Sequence, residues 1–483
     1  MSGKYPSFPK LTDEELVNHV IPEMHQWSLA NGLVMYPPNF KEEGASTAPT
    51  TVFPTPLPRE SFEHAVNVQK SYNELYAKIA QDKSNWLREE SKKLSKFDVE
   101  FTGRLWKTYL KAEGKGIKQK LRLGVFRSDY LIDKERNAIK QVEFNTVSVS
   151  FGGLSYKVSQ LHEYLNDSGK YSLNNGLKFY DNIPISDSSQ KLTEGLATAI
   201  KHYDSLKENP IVVFIVQKKE RNAFDQRLLE YNLLTNYGIK SRRLILDEVK
   251  NSTYMDLESN RLFVKATGEE IGVIYFRSCY SPSDFASEDD WDTRLYLENS
   301  YAIKAPDLLT QLSGTKKIQQ LLTDKDILKD YIEDKDSLED LHSTFVKIYP
   351  LDDSNLGKQG QKLAFESPNN YVLKPQREGG GNNIYKEDIP VFLQKLDKND
   401  WNAYILMELI QPEPTTQNVL VRGGEYFRES IISELGIFGC VLFNDDDILY
   451  NEYSGWLLRS KFNSSNEGGV AAGFGCVDSV VLY

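Results

Sequence analysis

Between residues 211 and 280 the sequence repeats one pattern that narrows the choice of fold more than anything else in the chain. Ile211 to Val216 is an uninterrupted apolar run, rich in β-branched residues and of strand length. The polar run Gln217-Lys-Lys-Glu-Arg-Asn222 follows, and then apolar positions at helical spacing from about Phe224 to Asn236. Arg243–Leu246 is strand-like again, and Ile271–Phe276 is a further apolar run that ends in Arg277-Ser-Cys-Tyr280. Strands that alternate with helices predict a parallel sheet, because a connection holding a helix returns the chain to the same end of the sheet. The expected class is α/β with additional α+β elements. In open sheets of this kind ligands lie beyond the carboxyl ends of the strands. Glu220, Arg221, Asn222, Gln226, Arg277 and Tyr280 all follow such ends. One polar loop residue is ordinarily just solvated; the shared position of six makes them candidates for holding a small charged substrate.

The chain has 483 residues, enough for roughly two to four domains. Its net charge of -11 argues against a general nucleic-acid binder. Its 3 cysteines, Cys279, Cys440 and Cys476, stand far apart, with neither disulfide-framework nor zinc spacing. The first residues carry no apolar core of signal-peptide length. The longest apolar runs are far short of the roughly 20 residues of a membrane span. A cytoplasmic protein with no membrane partner is expected. Near the N-terminus, Leu16, Val20, Met24 and Trp27 have helical spacing with Pro22 as a potential break. A Pro-rich extended stretch follows, and then a helix from Arg59 to Gln81.

Leu121–Phe126 reads as a strand, and Val142-Glu-Phe-Asn145 belongs to another. Side chains alternate along a strand, so Glu143 and Asn145 share a face. Two hard oxygen donors side by side suit Mg²⁺; the competing reading is an edge strand with a solvated face. Ser148 and Ser150 fall out of phase with that pair, which predicts a turn or bulge at Thr146.

Tyr371–Tyr385 contains an apolar strand start, Lys374, Glu378, three glycines (Gly379, Gly380, Gly381) and two asparagines. Glycine backbone beside a lysine suits a polyphosphate, whereas a plain hairpin tip needs none of the flanking Lys, Arg, Glu and Asn. Trp401–Ile410 reads as a strand ending at Glu408 before a Pro break. Ile431–Gly436 and Val441–Phe443 read as two strands. A second small-residue loop, residues 466–475, follows Arg459 and Lys461. There is no intact P-loop, no Gly-x-Gly-x-x-Gly and no HExxH, and the 6 histidines lack metal-ligand spacing. Basic side chains, hard-metal ligands and glycine lids together describe phosphoryl transfer, in which positioning and charge neutralisation do most of the catalysis.

These motifs resemble the eukaryotic-type glutathione synthetases of the ATP-grasp superfamily, in a fungal cytosolic form. The residues that carry the likeness are Phe126-Arg-Ser-Asp-Tyr130, residues 142–153, Glu220-Arg-Asn222, residues 312–317, Lys374–Asn383, Leu406-Met-Glu408, Ser433-Glu-Leu-Gly436 and residues 468–473. The resemblance implies ATP-dependent joining of γ-glutamylcysteine to glycine through an acyl phosphate, with ATP and Mg²⁺ as cofactors, in a homodimer with no nucleic-acid partner. It implies an ATP-grasp architecture with an inserted parallel-sheet substrate domain and a mobile lid. The expected division is 1–208, 209–312 for the substrate domain, and 313–483 for the ATP-binding part, with the lid at about 350–425.

The resemblance also assigns residues. Glu143, Asn145 and Glu378 match metal positions. Positions holding nucleotide are matched by Glu143, Lys316, Lys374, Pro375, Gln376, Arg377, Glu378, Gly379, Gly380, Gly381, Asn382, Asn383, Tyr385, Met407, Glu408, Leu409, Ile410, Glu434, Lys461 and Glu467. Dipeptide or glycine positions are matched by Arg127, Val147, Ser148, Val149, Ser150, Glu220, Arg221, Asn222, Gln226, Arg277, Ser278, Cys279, Tyr280, Arg459, Val470 and Ala471. Arg459, Lys374 and Glu378 are the expected catalytic residues. Glu467 stands where aspartate is common, Leu409 where animal forms carry lysine, and Ser278-Cys279 in place of Asp-Gly. The alternatives are a related ligase using another amine, such as β-alanine, and a nucleotide-binding protein without catalysis.

Overall fold

The computed structural model describes residues 5–377, 381–466, 469, 470, 473 and 475–483. Its centre is a 12-stranded mixed sheet. The long hairpin Ile431–Phe443 and Ile448–Phe462 forms the antiparallel half, and Ile431–Phe443 lies antiparallel to Arg122–Asp133. On the other side of Arg122–Asp133 the strands Ile303–Ala305, Ile271–Phe276, Ile211–Ile215 and Ser241–Leu244 follow in parallel. The parallel sheet expected from the strand–helix alternation is therefore present, and it continues the antiparallel one. Arg122–Asp133 is the strand at which the direction changes, and Ala138–Asn145 pairs with it as well.

Three strands of this sheet carry the same two-part pattern. Leu123 and Val125, then Arg127 and Asp129, lie on one face of the first strand. The register opposes Asp129 to Gly436 and Glu434 to Arg459. On this shared face the strands are apolar at Leu123, Val125, Phe438, Cys440 and Leu457, all in one buried cluster. They turn polar at Arg127, Asp129, Glu434 and Arg459. The opposite face is aromatic. Phe144 stacks on Tyr76 at 3.8 Å and lies 5.2 Å from Phe126, under the helix Arg59–Gln81.

A separate four-stranded antiparallel sheet has the order Ile348–Pro350, Tyr404–Glu408, Tyr371–Pro375, Ile384–Tyr385. Tyr349, Leu373 and Leu406 on one face pack under the helices Asn355–Glu366 and Asp388–Leu393 through Ala364, Ile389 and Leu393. On the other face Ile348, Val372, Ile405 and Met407 form an apolar cluster with Ile410, against Leu131 and Val142 of the large sheet.

Several expectations are corrected. Pro22 does not interrupt the helical run, because it sits in the first turn of Ile21–Asn31, where no N–H is needed, behind a π-helical segment Leu16–Val20. The turn expected at Thr146 is present, since the strand ends at Asn145 and the chain bends through Val147 and Ser148, while a separate bulge lies at Val142, where Asp129 pairs with Glu143 and Tyr130 with Gln141. Residues 431–443 are one strand rather than two. Gly436 and Gly439 mark close approaches, not turns: a Cβ would lie 2.9 Å from Asp129 Oδ1 at the first and 2.1 Å from Asn73 Oδ1 at the second.

The end of the chain is tied in by a buried polar network. Asp478 accepts from Thr51 Oγ1 (2.5 Å), Thr55 Oγ1 (2.6 Å), Ser460 Oγ (2.6 Å) and the Ser479 N–H (2.7 Å). His162 Nε2–H donates to the Thr51 carbonyl at 2.9 Å, which leaves Nδ1 to accept from the Ser479 hydroxyl at 2.6 Å. Burial pushes the Asp478 carboxyl up to about 6, against the pull of its donors. Burial pushes the His162 imidazole down to about 4, against the Thr51 carbonyl. The two groups have opposite linkage signs. The raised Asp478 value contributes stability that is complete below the ordinary 3.8 and lost as pH rises through 6. The lowered His162 value contributes stability that is complete above the ordinary 6.5 and lost as pH falls through 4. Wild-type stability should therefore change little through this pair between the two limits. Asp478→Asn should unmask a rise of about 3 kcal/mol with pH, and His162→Gln a comparable fall. Urea midpoints over a pH series measure this; parallel profiles for all three proteins would refute it.

Candidate active site

The polar ends of the strands meet in one cluster. Arg127 lies beside Asp129, with Nε donating at 2.6 Å and Nη2 at 2.9 Å to its two carboxylate oxygens. Arg459 Nη2 donates to Asp129 at 3.0 Å and also to Glu434. Asn145 Nδ2 donates to Asp129 Oδ2 at 3.0 Å and to the Arg127 carbonyl at 3.3 Å. Glu143, two residues back on the same face, pairs with Lys316 Nζ at 3.0 Å. Lys374 reaches across from the smaller sheet, donating to the Val142 carbonyl at 2.8 Å. Val142 is the extra residue of the bulge, so its carbonyl is freed from the ladder for that lysine.

The electrostatics follow from this crowding. Burial pushes Glu143 up, but Lys316, Lys374 and Arg127 outweigh it and hold the carboxyl well below the usual range. Glu434 is raised: burial and the neighbouring Asp129 and Glu143 carboxylates oppose Arg459 and Lys461. Burial disfavours the Arg459 cation, yet Glu434, Asp129 and Glu143 hold it more firmly protonated than usual. Both lysines are almost fully buried (3% exposed for Lys316, 4% for Lys374). A buried patch that gathers this many cations beside carboxylates is suited to polyphosphate and a hard divalent metal.

The donor set fits Mg²⁺. The Asn145 amide nitrogen is engaged twice, which leaves Oδ1 as its ligand atom, on the same face as the Glu143 carboxylate. No group of three or more His, Cys, Asp and Glu able to hold a metal occurs among the described residues. The third expected ligand, Glu378, lies outside them, as do Gly379, Gly380, Glu467 and Ala471.

The candidate substrate residues form a second group along the parallel strands. Asp225 organises it. Its carboxylate accepts from the N–H groups of Phe151 (2.9 Å), Gly153 (2.7 Å) and Leu154 (3.1 Å), at the start of the helix Gly152–Asp167. Asn222 Nδ2 donates to it at 3.2 Å, and Arg277 Nη2 lies 3.6 Å away. Arg277 Nη2 also donates to Ser150 Oγ at 2.8 Å, and Ser150 Oγ donates to the Ser148 carbonyl at 3.0 Å. The segment Val147–Ser150 is folded through left-handed backbone at Ser148 (φ +53°) and Phe151 (φ +72°). Val147, Val149 and Val470 are buried in the two main cores. Glu220 accepts from the Asn222 N–H at 2.7 Å and from Gln226 Nε2 at 3.0 Å. Tyr280 Oη accepts from Gln217 Nε2 at 2.9 Å. Arg277 Nε and Asn222 Oδ1 are buried without a hydrogen-bond partner among the described residues. Such orphans are costly in a folded chain and are expected where a ligand completes them.

Ser278 and Cys279 are buried, and Cys279 has φ +69°. That left-handed conformation is the physical reason a glycine is favoured at this position. Burial pushes its thiol up to about 12, and its carbonyl accepts from Gln311 Nε2 at 2.7 Å. All three cysteines are buried free thiols.

The candidate nucleotide residues divide. Met407 and Ile410, with Leu409 and Tyr385 packed beside them, line the apolar face of the smaller sheet. Asn383 Nδ2 donates to Tyr385 Oη at 3.3 Å, in the hairpin that also carries Gly381 and Asn382. Pro375 ends the strand of Lys374, opposite Tyr404. Lys461 Nζ donates to the Asn466 carbonyl at 2.8 Å. Glu408 pairs with Arg136 at 2.6 Å, and the Leu409 N–H is taken by the Asn370 carbonyl at 2.8 Å. Two side chains serve other contacts. Gln376 accepts from the Lys317 N–H at 3.1 Å and donates to the Ala403 carbonyl at 3.2 Å. Arg377 pairs with Asp98 at 2.6 Å and Glu100 at 3.3 Å, outside the cluster.

Sequence reading passes over Asp129, Asp225 and Tyr36. Asp129 was findable, since it alternates with Arg127 on one face. Asp225 looks like an ordinary acid in the first turn of Ala223–Tyr237. Tyr36, in the Pro-rich stretch, exchanges hydrogen bonds with Arg221: its N–H donates to the Arg221 carbonyl at 2.9 Å, and the Arg221 side-chain Nε donates to the Tyr36 carbonyl at 3.2 Å.

Comparison with known proteins matches this architecture. A solved structure of a glutathione synthetase-like effector from Globodera pallida superposes with a TM-score of 0.77, covering 100% of both chains at 23% identity, which establishes the shared fold. The glutathione synthetase large chain of Schizosaccharomyces pombe is 40% identical over 94% of this chain and 96% of its own. The chloroplastic glutathione synthetase of Arabidopsis thaliana is 38% identical over 100% and 88%, and the human glutathione synthetase 36% identical over 97% and 98%. The sequence model described as "eukaryotic glutathione synthase, ATP binding domain" matches residues 14–482. The chain belongs to the eukaryotic glutathione synthase family, with an ATP-grasp architecture.

Proposed function

We propose that this chain is a glutathione synthetase, an ATP-dependent ligase that joins γ-glutamylcysteine to glycine. The observation that supports this most directly is the convergence of Lys316, Lys374, Arg127 and Arg459 with Glu143 and Asn145, beside the apolar cluster that holds Met407 and Ile410. Apolar side chains of this kind suit a base, and the buried cations suit its phosphates. Arg277, Asn222 and Ser150 offer polar groups for the dipeptide. The dipeptide carboxylate oxygen takes the γ-phosphoryl group, giving an acyl phosphate and ADP, and the glycine amine then displaces phosphate to form the amide. In this reading Arg459 holds the charge that develops on the transferring oxygens, and the lysines fix the phosphates in line. Mg²⁺ held by Glu143, Asn145 and Glu378 would supply further charge neutralisation. The segment of about 350–425 serves as a cover that keeps water from the acyl phosphate. The enzyme works as a homodimer in the cytoplasm; among the described residues no helix is long and apolar enough to cross a membrane.

The test is ADP release by the purified protein with γ-glutamylcysteine, alone and with glycine or β-alanine. Release that depends on glycine is expected. Release with β-alanine in preference would reassign the amine, and no amine-dependent release would overturn the reading.

A further inference from the structure

Asp129 has no exposed surface and yet makes four charged or polar contacts, all of them to residues at the reacting end of the site. It takes Arg127 in a bidentate pair and Arg459 at 3.0 Å. It takes the Asn145 amide nitrogen at 3.0 Å, which fixes that end of the amide and leaves Oδ1 as the end that could meet a ligand. An ion pair serving stability alone would not need Asn145 in the set. Room for the carboxylate comes from the neighbouring strand: Gly436 opposes Asp129, and a Cβ there would lie 2.9 Å from Oδ1 and 3.0 Å from the Arg127 Cδ. The direction change in the sheet thus places one acid where it can hold three functional side chains from three strands.

We propose that Asp129 is a positioning residue, whose buried carboxylate locks the two guanidinium groups and turns Asn145 Oδ1 toward the metal position. This rests on the ligase reading above for the roles of the arginines, and on the Asn145 geometry for the metal. Partners that orient a metal ligand in this way typically alter affinity by about 10- to 100-fold when removed.

Asp129→Asn keeps the shape and removes the charge. Binding of a non-hydrolysable ATP analogue is titrated with Mg²⁺ by calorimetry, alongside KM for γ-glutamylcysteine and the melting temperature. Half-saturating Mg²⁺ and the dipeptide KM are each expected to rise about tenfold. In an Asn145→Ala background Asp129→Asn should add less than about twofold to the Mg²⁺ requirement, because both act through one ligand. Gly436→Ala presses on the carboxylate without removing it, and is expected to shift both quantities in the same direction by a smaller factor. It decides the matter if Asp129→Asn does not fold. Unchanged Mg²⁺ dependence in a folded variant, or effects that multiply fully with Asn145→Ala, would overturn the proposal. If the wild type shows no glycine-dependent ADP release, the ligase reading fails while the Mg²⁺ titration still tests Asp129.

Discussion

Arg459→Met should lower kcat by about a hundredfold or more at saturating substrates, since a single donor aimed at developing charge is commonly worth that much. The size of the loss follows from what the guanidinium balances. Glu434, Asp129 and Glu143 all act on it, and removing the cation leaves Arg127 with Asp129 and Lys316 with Glu143 but takes the ion pair from Glu434. Breaking a buried ion pair from one side typically costs about 3–5 kcal/mol. Here part of that cost is absorbed, because burial already holds Glu434 above its ordinary range and the acid can take up a proton. The melting temperature should therefore fall by less than a full buried-pair loss, while turnover falls steeply. Arg459→Lys keeps the charge but loses the fork that lets Nη2 meet Asp129 and Glu434 together, so its activity should lie between the two. Steady-state kinetics with parallel calorimetry measure this. A kcat for Arg459→Met within threefold of wild type would remove Arg459 from the reaction.

The sequence shows the chemistry of this site better than its assembly. Glu143 and Asn145 were readable as a pair because they lie on one uninterrupted stretch of strand, where alternation alone determines the face. The convergence of Arg127, Glu434 and Arg459 was not readable. Arg127 lies more than 300 positions before the other two, and only the register of the long hairpin brings Glu434 opposite Arg459. The turn after Asn145 was readable from the change of phase, but the bulge at Val142 was not: which residue is skipped depends on the partner strand, and local period carries no record of it. Ile431–Gly436 and Val441–Phe443 read as two strands, separated by a stretch that holds Gly439. The role of Gly436 and Gly439 is instead to admit Asp129 and Asn73 from neighbouring elements. Arg377 stands in the most phosphate-like stretch of the chain, yet its side chain answers to Asp98 and Glu100, acids whose proximity only the tertiary fold creates.

Asp225→Ala should be the most destabilising of the single changes considered, at about 3–5 kcal/mol. The carboxylate is buried and serves the N–H groups of Phe151, Gly153 and Leu154, the Asn222 amide and Arg277. Alanine would leave those donors unpaired at the positively polarised start of Gly152–Asp167. It would also leave Glu220 as the carboxylate still acting on a fully buried Arg277. Asparagine separates the two effects. Its oxygen can still accept from the Gly153 and Leu154 N–H groups, while the charge facing Arg277 is lost, so its stability loss should be well below that of alanine. Because the 147–151 loop, Asn222 and Arg277 are all substrate candidates, Asp225→Asn should raise KM for γ-glutamylcysteine several-fold and leave KM for ATP unchanged. Urea unfolding gives the stability ranking, and initial rates with each substrate varied give the split. Equal increases in both KM values would mean that Asp225 supports the site as a whole, and that the dipeptide is held elsewhere.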